Sequence, residues 1–151
     1  MPNIFLRACT ALLVLLTGCG APQPQPVPPA DAAETPITVT VGDTVFDAVL
    51  YDDPAAEALR ERLPLTVDMS ELNGNEKYVY LDEPLPTDAV QPGEIRAGDL
   101  MLYGEDCLVL FYESFSSGYR YTPLGRLDDV SGLRQAVGSG SVRVTIAARA
   151  S

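Results

Sequence analysis

From residue 37 onward, apolar and polar positions alternate in short runs. Ile37, Val39 and Val41 are interleaved with threonines, the period of two that predicts a half-buried strand. Gly42-Asp43 supplies a turn into a second strand-like run, Thr44–Tyr51. Asp53-Pro54 is a helix start, because Asp can cap free N–H groups and Pro is tolerated at the first helical position. Ala56, Leu59 and Leu63 follow at helical spacing, and Pro64 closes that helix. A strand is expected over Leu65–Met69, then an Asn73-Gly74 turn into a strand over Lys77–Leu81. Pro84–Pro92 reads as a loop. Asp99–Tyr103 and Cys107–Glu113 read as a hairpin across Gly104-Glu105-Asp106, and Tyr119–Leu127 as a strand pair or one bent strand.

A second helix is predicted over Val130–Val137, capped by Asp129 and stopped at Gly138. In the final strand Val142, Val144 and Ile146 point inward, with Arg143 and Thr145 outward. Seven to nine short strands with two helices define a mainly β fold, a closed barrel or a sandwich.

The first 35 residues follow a different pattern. One base, Arg7, precedes an apolar run from Ala8 to Leu16, too short for a bilayer span of ~20 residues but suited to a signal-peptide core. It ends in Leu16-Thr17-Gly18-Cys19, which looks like a lipobox: a branched apolar residue, two small ones, and a thiol to carry the lipid. Gly20 to Thr35 holds five prolines, the composition of a semi-rigid polyproline spacer reaching up to ~50 Å. The expected organisation is a lipoprotein signal peptide over 1–18, a lipidated Cys19 with a Pro-rich linker over 19–35, and one domain over 36–151. The expected address is the cell envelope, lipid-anchored and facing outside the cytoplasm.

Charge narrows the partners. Removing residues 1–18 leaves 9 Lys and Arg against 21 Asp and Glu, a net charge of −12. Such a surface repels phosphate backbones, so no nucleic-acid partner is expected. It also repels anionic headgroups, so membrane attachment has to come from the lipid anchor.

The chain has no histidine, which removes the commonest proton-transfer group near neutral pH and every imidazole metal site. No metal and no cofactor are expected. Once Cys9 leaves and Cys19 is acylated, Cys107 is the one remaining thiol. It sits in the apolar run Cys107–Tyr112 and reads as a buried structural residue. The acid pairs Asp52-Asp53, Asp82-Glu83, Glu105-Asp106 and Asp128-Asp129 fall at turns and caps, without calcium-loop spacing. Gly138-Ser139-Gly140-Ser141 follows a helix and precedes a strand, the reverse of a phosphate cradle. Ser114, Ser116 and Ser117 lack a histidine partner, which leaves only a serine–lysine arrangement with Lys77.

Laid out in order, the motifs resemble the bacterial cyclophilin-like domains of uncharacterised function. The resemblance is carried by Leu63-Pro64-Leu65-Thr66, Asn73-Gly74-Asn75-Glu76-Lys77-Tyr78, Leu81 through Leu85-Pro86, Gly93-Glu94-Ile95 and Ala97-Gly98-Asp99-Leu100. It continues through Leu102-Tyr103, Leu108–Tyr112, Tyr121-Thr122 and Leu124-Gly125-Arg126-Leu127. It implies a closed barrel of about eight strands with a helix at each end.

The activity of true cyclophilins, prolyl isomerisation, does not follow from the fold. Their site uses an arginine in a Phe-His-Arg run with a histidine and a tryptophan, and Leu65–Met69 carries no arginine. The expectation is therefore a non-catalytic binding module for a peptide, a small ligand or a protein partner, with Glu76, Tyr78, Tyr112 and Arg126 as candidate binding residues and no catalytic residue. The alternative is a weak prolyl isomerase acting on exported proteins.

Overall fold

The computed structural model describes residues 33–150; the signal-peptide and Cys19 expectations lie outside that range. Ten strands and two helices follow one another: β1 (Thr35–Val41), β2 (Thr44–Leu50), α1 (Pro54–Arg60), β3 (Leu65–Leu72), β4 (Glu76–Tyr80), β5 (Gly93–Ile95), β6 (Asp99–Tyr103), β7 (Cys107–Phe111), β8 (Phe115–Ser117), β9 (Thr122–Leu127), α2 (Leu133–Val137) and β10 (Val142–Ala148). Eight strands close into a barrel in the order β1-β10-β3-β4-β7-β6-β9-β2, while β5 and β8 pair separately. No helix among the described residues is long and apolar enough to cross a membrane.

The alternation read from the sequence becomes the barrel interior. Ile37, Val39 and Val41 of β1 face Val144 and Ile146 of β10 and join Phe46, Leu100, Leu108 and Leu110 in one core. The helices sit at the barrel's ends. Asp53 Oδ1 accepts the Ala56 N–H at 2.8 Å, which starts α1, and Ala55, Ala56 and Leu59 are buried beyond the end of β2. At the other end α2 lies beside the Gly42 turn, with Leu133 and Val137 buried.

Two elements differ from expectation. α2 begins at Leu133, not Val130. Asp129 Oδ1 accepts the Ser131 N–H at 2.8 Å and Gly132 is left-handed at φ 82, so the acid closes a local turn that competes with helix. Val130 stays 40% exposed. The β5–β8 pair is new: Gly93–Ile95 and Phe115–Ser117 pair antiparallel across the intervening β6–β7 hairpin. β1 begins at Thr35, which pairs with Leu50 of β2.

The β5–β8 pair explains why β7 is buried on both sides. Leu108 and Leu110 face the core, whereas Cys107, Val109 and Phe111 face outward. Those three join Ile95, Met101 and Tyr121 in a second apolar cluster on the barrel's outer wall, with Phe115 and Tyr78 packed against it.

A candidate ligand groove on the barrel's outer wall

The pleat sends alternate residues of a strand to opposite faces, and register lines up those of neighbouring strands. Tyr80 of β4 pairs with Cys107 of β7, which pairs with Tyr103 of β6. One step along, Tyr78, Val109 and Met101 form the next row, and Glu76 stands opposite Phe111. This outer surface is the floor of a groove of about 550 Å³, flanked by Asn73 and Asn75 of the β3–β4 turn and by Phe115–Tyr119 with Tyr121.

Five of the seven tyrosines line it. Tyr78 and Tyr80 meet edge to face at 5.9 Å between ring centroids. Tyr103 meets Tyr119 at 6.2 Å and Tyr121 at 5.6 Å. Edge-to-face and tilted contacts hold aromatic pairs in defined orientations, so the lining is built rather than loose. The one carboxylate in the groove is Glu76, only 8% exposed. Its carboxyl has no hydrogen-bond or ion-pair partner among the described residues. Burial, with the nearby Glu71 charge adding to it, holds its pKa above the ordinary carboxylate value. The Asn75 Oδ1 is buried without a donor. No lysine or arginine lines the groove.

Lys77, the next residue, points the other way. It is the chain's one lysine and is fully buried. Its Nζ donates to the Gly138 and Gly140 carbonyls at 3.2 and 2.6 Å and lies 2.5 Å from Glu71 Oε2, off the hydrogen-bond direction. Glu71 also accepts from the Tyr112 hydroxyl at 2.6 Å and the Gly74 N–H at 2.8 Å. Desolvation pushes Glu71 upward, but these donors outweigh it and its pKa lies below the ordinary value. Tyr112 is pushed up to about 12, first by burial and then by its bond to Glu71.

The four candidate residues thus divide. Glu76 and Tyr78 share the groove. Tyr112 stands at the α2 end of the barrel, where it lines a smaller hollow of about 270 Å³ with Glu71 and Arg134. Arg126, on β9, is held by Glu34 at 2.6 and 3.2 Å and lies 5.7 Å from the Tyr51 ring. No serine–lysine pair forms, because Lys77 is inside the barrel while Ser116 and Ser117 line the outer groove. The Ser114 Oγ accepts the Ala97 N–H at 3.0 Å. The Gly138–Gly140 turn offers carbonyls to a cation rather than amides to a phosphate. No cluster of three or more acidic, Cys or His side chains able to hold a metal occurs among the described residues.

Tyr103, Tyr119 and Tyr121 were not among the expected site residues. Tyr103 was within reach of a hairpin register that places it opposite Cys107. Tyr119 and Tyr121 arrive through the β8 segment and a bridge from Tyr121 to Val90, pairings with no local sequence signal.

A closed eight-stranded barrel capped at both ends, with an aromatic groove on its outer wall, places the molecule in the cyclophilin-like class. The sequence model of the Cyclophilin-like family matches residues 39–147, and the chain belongs to that family. No curated protein matches it. A hypothetical protein from Archaeoglobus fulgidus, solved in solution, is a similar structure: 14% identical, covering 80% of this chain and 99% of its own, with a TM-score of 0.49.

Proposed function

We propose that this chain is a non-catalytic binding module of the cell envelope, tethered by an acylated Cys19 and using the outer groove to hold a ligand. The observation that carries the reading is the groove itself: about 550 Å³, with five tyrosines and one unpaired carboxylate. Ligand sites are of this size and kind, apolar and aromatic with a few placed polar groups.

Isomerisation is disfavoured by the same lining. The X-Pro barrier of ~18–20 kcal/mol comes from amide resonance, and lowering it takes a fixed donor aimed at the twisted amide. The groove is lined by one carboxylate and by no guanidinium or ammonium group.

Two measurements test the reading. Intact mass of the membrane-extracted protein is expected to show a chain beginning at an acylated Cys19, and Cys19→Ala to leave a longer, unlipidated form. A proline-peptide exchange assay is expected to show acceleration within about tenfold of the uncatalysed rate, since a missing oxyanion-type donor costs ~10²–10³ in rate. A mature chain without lipid, or strong isomerase activity, overturns the corresponding half of the proposal.

A further inference from the structure

Two features of the groove restrict what it can hold. Glu76 is over nine-tenths buried, yet its carboxylate meets no donor and no cation among the described residues. Around it stand tyrosine rings, of which Tyr80, Tyr103 and Tyr119 are 65%, 46% and 66% exposed and free to meet a ligand.

Each class of ligand meets these features differently. An anion would be repelled by Glu76 and by the −12 charge of the chain after residue 18. A neutral apolar ligand would complete the desolvation of the Glu76 carboxylate without replacing the water it loses, which is costly. A quaternary ammonium answers the carboxylate charge and the negative ring faces but brings no N–H to the carboxylate. A cation with N–H groups satisfies both features: charge and donors for Glu76, and contact with electron-rich ring faces.

We infer that the groove binds an organic cation carrying N–H donors, an alkylammonium or alkylguanidinium group, with its charge at Glu76 and its alkyl stem along the tyrosines. This deepens the binding-module reading and rests on the groove being the ligand site. The same chemistry is presented by a free amine and by a lysine or arginine side chain of a peptide. The net negative surface draws either toward the molecule.

The test titrates the purified full-length protein with n-butylammonium, n-butylguanidinium, tetramethylammonium, n-butanol and butyrate, and with acetylated Gly-Lys-Gly and Gly-Arg-Gly. Tyrosine fluorescence is a direct readout, because the chain has no tryptophan and five of its seven tyrosines line the groove. The expected result is saturable binding of both N–H cations, on the order of millimolar for so few atoms. Tetramethylammonium should be weaker by about tenfold, the scale of 1.4 kcal/mol in an equilibrium, and butanol and butyrate should give no saturation. Glu76→Gln is expected to lower affinity at least about tenfold, as loss of a charge-assisted contact does.

Tyr80→Ala, at an exposed position that leaves the core intact, should weaken binding as well, while Arg126→Ala, outside the groove, should not. A peptide that binds more tightly than the free amine makes the source a side chain; equal affinity makes it a small molecule. Both support the inference. Tetramethylammonium binding as well as butylammonium, or butanol binding unchanged by Glu76→Gln, overturns the cation assignment and leaves the groove a ligand site. Tyrosines that respond to no cation, neutral probe, anion or peptide overturn the binding-module reading itself.

Discussion

Glu76 and Lys77 are consecutive on β4 and stand on opposite sides of the barrel wall. The pleat alternates side chains, so Glu76 faces the outer groove with Tyr78 and Tyr80, while Lys77 enters the barrel and meets Glu71 and the Gly138 and Gly140 carbonyls. Two opposite charges adjacent in sequence therefore never pair. The buried cation is satisfied by Glu71 across the β3–β4 hairpin and by two carbonyls distant in sequence, and the buried anion is left open.

The inner charge ties the barrel end together. Removing one partner of a buried ion pair is expensive because the other charge stays behind. Lys77→Met should cost about 3 kcal/mol in urea unfolding, less than a fully buried pair would lose because the Glu71 side chain is 27% exposed. Adding Glu71→Leu to Lys77→Met should recover part of that loss by removing the stranded carboxylate. A double variant less stable than Lys77→Met alone would mean that the Tyr112 and Gly74 contacts, not the lysine, hold Glu71.

Acid should act through Glu71. Its folded pKa lies below the ordinary 4.5 because the Lys77 ammonium charge and the Tyr112 and Gly74 donors together outweigh desolvation. Its stabilisation is therefore present above that value and is lost as pH falls through the folded pKa. Wild type should lose more stability between pH 5 and 3 than Glu71→Gln does, and parallel losses in the two proteins would contradict this.

Glu76 has the opposite sign. Burial raises its folded pKa, so the folded state binds its proton more readily than the unfolded one. The cost grows as pH rises from 4.5 through the folded pKa and is complete above it. Glu76→Gln should raise the melting temperature by a few degrees at pH 7 and by little at pH 4. Glu71 on β3, on the inner side of the barrel wall, is the other carboxylate whose charge reaches it, and Cys107 and Tyr121 are both pushed upward and stay neutral across this range. A stabilising change that abolishes ligand binding is the signature of a residue kept for function.

Gly125 is required by packing. A Cβ there would run into the Val49 carbonyl oxygen and sit 3.2 Å from the Leu50 Cα, both of them backbone atoms of β2. Gly125→Ala should cost on the order of 3 kcal/mol by overpacking, because strand backbone cannot move aside as a side chain can. Denaturant unfolding measures it, and a loss under about 1 kcal/mol would show that β2 and β9 can separate.

Cys107 should be inert. The thiol is 5% exposed, and burial, followed by the Asp106 and Glu76 charges, pushes its pKa up to about 11. Thiolate is the reactive form, so a polar thiol reagent at pH 8 should label it only as the protein unfolds. Rapid native labelling would show that the groove floor opens.

Local periodicity carried much of this protein. Strands β1, β2 and β10 were legible because period-two alternation directly encodes which face is buried, and the β6–β7 hairpin because two short apolar runs flank Gly104-Glu105-Asp106. The Asp53 cap was legible because its chemistry is complete within four residues. The run Glu76, Lys77, Tyr78 even carries the division between groove and interior, once its strand is assigned. Tertiary structure decided what is built from pairings distant in sequence. Strand β8 crosses outside β7 and brings Tyr119 and Tyr121 to Tyr103, and the Gly138–Gly140 turn reaches Lys77 across the barrel. Tyr112 and Arg126 looked like companions of Glu76 by motif, yet barrel closure carries them to the α2 end and to β9. A strand's sequence specifies which side chains share a face, but its neighbours are set by the closure of the whole sheet. That is why the polar character of the groove could be read along one strand and its shape could not.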